Sequence, residues 1–219
     1  MKRLRVLLGD DHALVLSGIK ALLETGFDVV GTATDGRQLV DLSSTLRPDL
    51  VVLDLSMPHL NGLEAARQIR AGQPNAKLIF LSMHTNPMYL RKALDLGASG
   101  YVLKTGLIEE LLDAIQKAIK GEIYISPGFG REIQQGLWNR SGKPTREEEA
   151  LTDRQREILQ LIAEGKANKE IAQIIGISIK TVDFHRARLM TRLGARSAAE
   201  LVRIAVEQGI IPSSTAGTP

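Results

Sequence analysis

The chain reads as two architectures in series: an α/β domain with a five-stranded, doubly wound parallel sheet, then an all-α domain of four helices. Three observations predict this. Up to about residue 120, short aliphatic runs alternate with helix-length amphipathic segments, the signature of βα units in a parallel sheet covered on both faces. After about residue 150 the strand pattern stops and only helix-length segments follow. Hydrophobic residues make up 43% of the 219 residues but aromatics only 4%, so the core is aliphatic, as suits helices packed on a parallel sheet.

In order, strands are expected at residues 4–8, 27–33, 50–53, 77–81 and 100–103, with helices at 13–24, 37–46, 63–71, 87–96 and 108–120. Leu50-Val51-Val52-Leu53 is apolar throughout, as a strand buried on both sides requires. Gly26, Gly36, Pro48, Gly62, Pro74, Gly97 and Gly121 fall between the runs and punctuate them. In the second half, Thr152 with Gln155 three residues later is a capping box opening a helix that Gly165 stops. A short helix follows at 168–175, ended by Gly176. A third runs from Ser178 or Ile179 to about Leu193, and a fourth covers 198–208. A Gly-containing turn between the second and third suggests a helix-turn-helix.

The expected boundaries are therefore a first domain at 1–122, a linker at 123–149, a helical domain at 150–211 and a disordered tail at 212–219. Within the linker, Leu137-Trp138 offers an apolar docking element, and residues 139–149 are polar enough for a flexible hinge.

Composition excludes several classes. There are no cysteines, hence no disulfides and no thiolate metal sites. No apolar run approaches the about 20 residues that span a bilayer, and the basic start at Lys2, Arg3 and Arg5 lacks the apolar region of a signal peptide. A cytoplasmic protein with no membrane partner is expected. The net charge is +3, and its distribution is uneven. Residues 1–120 carry 14 basic and 13 acidic groups, and residues 151–219 carry 10 and 7. Lys180, Arg186, Arg188, Arg192 and Arg196 face Asp183 alone between 178 and 196, a focus of positive charge suited to DNA phosphates.

Four residues carry the chemistry of the first half. Asp10 and Asp11 follow the first strand, Asp54 follows the third and Lys104 follows the fifth. In a parallel sheet these strand ends share the edge where open α/β folds place their ligand site. Three carboxylates there cannot all stay ionised without a compensating cation. A divalent metal taking oxygen ligands, such as Mg²⁺, supplies one. Two acids to hold the metal, one acid to attack phosphorus and a lysine to neutralise the phosphoryl group make a phosphoryl acceptor. Taken singly, Asp11 is also an ordinary N-cap for the helix at 13–24.

The stretch Asp54-Leu55-Ser56-Met57-Pro58-His59-Leu60-Asn61-Gly62, with Gly9-Asp10-Asp11-His12, Ser82, Tyr101 and Lys104-Thr105, resembles the receiver domains of two-component response regulators over about residues 4–120. The resemblance implies a flavodoxin-like fold in which Asp54 is the phosphoacceptor. Asp11, Asp54 and the carbonyl of Ser56 would hold Mg²⁺, with Asp10 acting through water. Lys104 would pair with the phosphoryl oxygens, Ser82 would donate to them, and Tyr101 would swing inward behind Ser82. Ser56 and His84 occupy positions that influence acyl-phosphate hydrolysis in this family. A tyrosine in an edge strand, as Tyr101 would be in a five-stranded sheet, is also ordinary.

Residues 150–208 resemble the LuxR-type helix-turn-helix of the NarL/FixJ regulators, through Leu151-Thr152-x-Arg154, Ala167-Asn168-Lys169-Glu170-Ile171-Ala172, Thr181-Val182-x-x-His185 and Arg192-Leu193-Gly194. The helix at 178–193 would enter the major groove of promoter DNA. Val182, Leu189 and Leu193 read as its core face. Asp183, Phe184, Ala187 and Arg188 read as its base-facing side, and Lys169, Lys180, Thr181, His185, Arg186 and Arg192 as phosphate contacts. Arg188 suits guanine, and Phe184 suits either a thymine methyl or the core. Asp183 suits cytosine or an ion pair with Arg186 or Arg188 in its own helix. The last helix carries more apolar surface than a terminal helix needs, which suits a homodimer, as in this family, or packing into the domain's own core.

Together these matches imply a phosphorylation-gated transcription regulator, not an enzyme, served by a sensor histidine kinase. One alternative is an Mg-dependent phosphohydrolase with an aspartate nucleophile, though such enzymes place Asp-x-Asp after the first strand. Another is an orphan DNA-binding regulator controlled by a partner protein.

Overall fold

Apolar runs become strands where the sequence expects them, and their register fixes the functional edge. The computed structural model describes residues 3–129 and 151–211, which form two compact units. The expected docking of Leu137-Trp138, the hinge at 139–149 and the tail at 212–219 lie outside the described residues.

The first unit alternates β1 (Arg5–Gly9), α1 (Ala13–Glu24), β2 (Asp28–Ala33), α2 (Gly36–Leu46), β3 (Leu50–Asp54), α3 (Gly62–Gly72), β4 (Lys77–Ser82), α4 (Pro87–Asp95), β5 (Gly100–Leu103) and α5 (Leu107–Lys120). A further strand, β6 (Tyr124–Ile125), was not expected: the sequence reading closes the sheet at five strands, whereas the order is β2-β1-β3-β4-β5-β6. Two residues carry too little periodicity to announce a strand. Tertiary contacts hold this one. It pairs parallel to β5, with Gly100 opposite Tyr124. Ser126, fully buried, accepts from the Leu103 amide at 2.8 Å and donates to Glu110, which also accepts from the Tyr124 hydroxyl at 3.0 Å. Burial, reinforced by the Glu110 carboxylate, pushes the Tyr124 phenol up.

All strand pairs are parallel. The strand order reverses between β1 and β3, the crevice where doubly wound sheets bind their ligands. On one face of the sheet Val6, Leu8, Leu50, Val52, Ile79, Leu81 and Val102 pack against Leu16, Ile19 and Leu23 of α1 and Leu111, Ala114 and Ile115 of α5. The core is aliphatic, as composition predicts. α1 starts without a side-chain cap: its N-cap residue is His12, so Asp11 is not a cap.

The second unit contains α6 (Asp153–Ala163), α7 (Asn168–Ile175), α8 (Ile179–Leu193) and α9 (Ala198–Glu207). The Thr152/Gln155 capping box is formed. Gly176 and Gly194 end α7 and α8 in the left-handed conformation that glycine adopts without strain. Ile158, Leu161, Ile171, Val182, Leu189, Leu201 and Ala205 are fully buried together. Leu193, expected in the core, is only half-buried at its edge.

Candidate phosphoacceptor site and nucleic-acid interface

Strand register assembles the site from residues far apart in sequence. Gly9 sits opposite Leu53 in the β1–β3 ladder, so the next residues, Asp10 and Asp54, emerge side by side. Asp54 ends β3 opposite Leu81, and Ser82 follows at the end of β4 opposite Leu103. Lys104 is one residue further on. Its long side chain reaches back across β4 to put Nζ 2.8 Å from Asp10 Oδ2 and 3.0 Å from Asp54 Oδ2. Asp10 and Asp54 are 1% and 3% exposed, so this triad is almost dry and its electrostatics are strong. Asp11 is exposed beside them.

Burial raises the Asp54 carboxyl to about 6. The Lys104 ammonium opposes this rise and the Asp10 charge adds to it, while hydrogen bonds from Lys104 and the Ser56 backbone also lower it. Burial pulls the Lys104 ammonium down, but the Asp54 and Asp10 carboxylates outweigh burial and hold it above the ordinary lysine value. Two buried carboxylates thus share the single Lys104 ammonium.

One neighbour was not anticipated. The ring of His12 approaches Asp11 Oδ1 at 2.8 Å and Asp10 Oδ1 at 3.3 Å. One ligand atom from each of Asp10, Asp11, His12 and Asp54 lies within 4.8 Å of the others. Carboxylate oxygens in this number suit a hard divalent cation. His12 follows the paired acids directly in the sequence, but residue type alone does not assign its ring to the pocket.

The loop after Asp54 is shaped by its own backbone. His59 adopts a positive φ of 64°. A Cβ at Gly62 would strike the main chain of Asp54 and Leu55, so the position admits only glycine, and the Gly62 amide donates to the Leu55 carbonyl at 2.8 Å.

Ser82 and Tyr101 meet through the backbone of His84. Ser82 Oγ accepts from the His84 amide at 2.9 Å, and the Tyr101 hydroxyl donates to the His84 carbonyl at 3.4 Å. Ser56 and His84 meet side chain to side chain, 3.2 Å from Oγ to Nε2. Burial lowers the His84 imidazole below its usual value. Tyr101 is fully buried, with burial pushing its phenol up to about 12. Its strand is not the edge strand that the sequence suggests, because β6 covers β5. Phe129 packs edge-on against the Tyr101 ring at 5.3 Å, a contact that no local sequence pattern announces.

In the helical unit, Lys169 lies exposed on α7, and Lys180, Asp183, Phe184, Ala187, Arg188 and Arg192 lie exposed on α8. Thr181, His185 and Arg186 are half-buried. Thr181 is within 2.8 Å of the Ser178 hydroxyl, which caps α8. Asp183 does not pair with arginine within its helix, as the sequence reading favours: it accepts from Asn168 Nδ2 at 2.6 Å, and Arg186 donates to the same Asn168 side chain at 3.0 Å. Asn168, at the start of α7, sits within reach of both and outcompetes the intrahelical pair with a bidentate amide. Phe184 is 56% exposed, which removes the core reading of this residue.

No helix among the described residues is long and apolar enough to cross a membrane. The response regulator receiver domain family matches residues 6–116, and the luxR family of bacterial regulatory proteins matches residues 149–205. The chain is 36% identical over 216 residues to the transcriptional regulatory protein MctR of Rhizobium johnstonii, covering 95% of this chain and 96% of that one. It is 35% identical over 215 residues to the oxygen regulatory protein NreC of Staphylococcus aureus, covering 95% and 99%. Among solved structures it is similar to RcsB of Salmonella enterica serovar Typhimurium bound to a promoter in the presence of the phosphomimetic BeF3-, with 30% identity, a TM-score of 0.55 and coverage of 92% and 98%. It is also similar to a LuxR-family two-component response regulator from Aurantimonas, with 36% identity, a TM-score of 0.58 and coverage of 62% and 98%. These relatives are regulators rather than enzymes, which sets aside the phosphohydrolase alternative. This chain belongs to the NarL/LuxR family of response regulators, in which a receiver domain precedes a LuxR-type helix-turn-helix domain.

Proposed function

We propose that this chain is a cytoplasmic, phosphorylation-gated transcription regulator that takes its phosphoryl group on Asp54 from a sensor histidine kinase. The observation that carries this reading is the Lys104 ammonium seated between the Asp10 and Asp54 carboxylates at a sheet edge. A carboxylate oxygen of Asp54 attacks phosphorus, the bond from phosphorus to the donor imidazole breaks, and an acyl phosphate forms on Asp54. Such a transfer asks the protein for in-line positioning and charge neutralisation. Lys104 neutralises the transferred group. Asp10, Asp11, Asp54 and the Ser56 carbonyl would hold Mg²⁺, which offsets the repulsion between carboxylate and incoming dianion when bound.

Ser82 is the natural donor to the phosphoryl group. Turning its hydroxyl there breaks its bond with the His84 amide and so disturbs the loop to which Tyr101 is also tied. A local hydrogen bond thereby selects between two packings of β4, α4 and β5. The output is DNA binding by α8 in the major groove, with Asp183, Phe184, Ala187 and Arg188 facing bases. Lys169, Lys180, Thr181, His185, Arg186 and Arg192 face phosphates. A homodimer would meet half-sites about one helical turn, ~10 bp, apart. The helical domain covers 150–211, and the first domain extends past the expected boundary at 122, because β6, Ser126 and Phe129 pack into it; the expected linker at 123–149 is shortened accordingly.

The test is acetyl phosphate labelling resolved on a Phos-tag gel, paired with DNA footprinting. The wild type should give a retarded band that Asp54→Ala abolishes, and labelling should tighten the footprint. A retarded band that persists in Asp54→Ala overturns the acceptor. A footprint indifferent to labelling favours control by a partner protein.

A further inference from the structure

The exposed face of α8 carries a pairing whose chemistry goes beyond general DNA binding, although it rests on that reading of the helix. Phe184 is 56% exposed, on a face otherwise made of Lys180, Asp183, Ala187 and Arg188. A large ring left in water at the centre of a polar face gains from any apolar surface that covers it. One helical turn on, the Arg188 guanidinium carbon lies 5.4 Å from the centroid of that ring, a cation–π distance. Phe184, Ala187, Arg188 and Thr191 border an open groove of about 470 Å³. Asp183, the neighbour suited to cytosine, is instead engaged with Asn168.

The major-groove edge of DNA offers few apolar groups. Among the four bases only thymine carries one, its 5-methyl, whereas guanine offers the O6 and N7 pair that fits an arginine fork. The ring and guanidinium lie 5.4 Å apart, close enough for one to reach the base pair next to the other's, since base pairs stack about 3.4 Å apart along each strand. We propose that Phe184 and Arg188 form one specificity element that reads a thymine on the base pair beside a guanine. Phe184 covers the thymine methyl. Arg188 donates to guanine O6 and N7, with its guanidinium resting against the ring. Lys180 and Arg192 flank the pair on the same helix and supply charge for phosphates.

The experiment uses the full-length protein and a duplex selected from a randomised pool. Each thymine of the selected site is replaced singly by uracil, which removes only the methyl, and each guanine by 7-deazaguanine, which removes only N7. The wild type should lose about 3- to 5-fold in affinity at one uracil position. It should lose about tenfold at the guanine beside it. Phe184→Ala should bind thymine and uracil duplexes equally and show weakened guanine discrimination. Arg188→Ala should lose guanine discrimination and keep the methyl effect. Circular dichroism should leave both variants as helical as the wild type, and the wild-type uracil scan stands whatever their folding. Uracil tolerated at every position overturns the proposal. So does a Phe184→Ala variant that weakens thymine and uracil duplexes by the same factor, because the ring then serves packing alone. Selective binding blind to the methyl removes only this inference. A pool in which no sequence is enriched removes the DNA-reading role of α8 and this inference with it.

Discussion

The two units place their working groups in opposite surroundings. In the α/β unit Asp10, Asp54 and Lys104 are nearly dry and already paired with one another. In the helical unit Lys180, Phe184, Ala187 and Arg188 stand in water. The difference follows from what each must do. Accepting a phosphoryl dianion on a carboxylate needs charges whose interaction is not screened, so the groups are desolvated and positioned in advance. Reading a duplex needs groups that can exchange water for phosphates and base edges. In the first unit the buried carboxylates Asp10 and Asp54 are paired with Lys104. In the second, Asp183 and Arg186 are both bonded to Asn168.

Four substitutions test this contrast, from the largest expected effect downward. Lys104→Met strips the cation from two buried carboxylates, and breaking a buried pair in this way destabilises by about 3–5 kcal/mol. Urea unfolding at pH 8 with chelator should show it in the α/β unit. The loss should shrink below about pH 6 as the Asp54 carboxyl takes up a proton, and a change under about 0.5 kcal/mol would mean that the triad behaves like a surface pair.

Asp54→Asn works in the other direction. The Asp54 carboxyl is raised from 3.8 to about 6 by burial, so the folded state binds a proton that the unfolded chain has released. Its ionisation therefore destabilises the metal-free fold progressively as pH rises from about 4 to about 6, and fully above that. The asparagine variant should be more stable by roughly 1–3 kcal/mol at pH 7.5 and indistinguishable at pH 3.5. A stability difference that is flat with pH would sink this assignment.

In the helical unit the expected changes are smaller, because fewer buried charges are at stake. Thr152→Ala removes the capping box of α6 and should lower the stability of that unit by about 1 kcal/mol, read by thermal unfolding. Asn168→Ala releases Asp183 and Arg186. It should change stability by less than about 1 kcal/mol, as for one exposed polar network. DNA affinity should nevertheless change a few-fold, since Asp183 and Arg186 lose the amide that holds both of them. Gel shift against unfolding separates the two, and equal losses in both would make Asn168 purely structural.

The legibility of each feature tracks its physical origin. Asp54 was readable as a site candidate only jointly with Asp10, Asp11 and Lys104, since a single acid at a strand end is also an ordinary turn residue, and Gly62 because its loop motif is specific. Strand and helix positions were readable from aliphatic alternation and from caps such as Thr152. β6 was not readable, since its two residues are held by Ser126, Tyr124 and Glu110, which lie outside any local period. The partner of Asp183 was misread because neighbours one turn away in sequence are visible and Asn168, fifteen residues earlier, is not.

By itself the sequence determined the order of βα units, the four helices, and which residue types stand at the strand ends. These depend on hydrophobic periodicity and backbone propensity, both local properties. Only the tertiary structure decided which acid Lys104 touches, that His12 joins the carboxylates, that Phe129 backs Tyr101, and that Phe184 faces water with Arg188 over its ring. Those outcomes depend on strand register and helix rotation, which bring together side chains that share no local pattern.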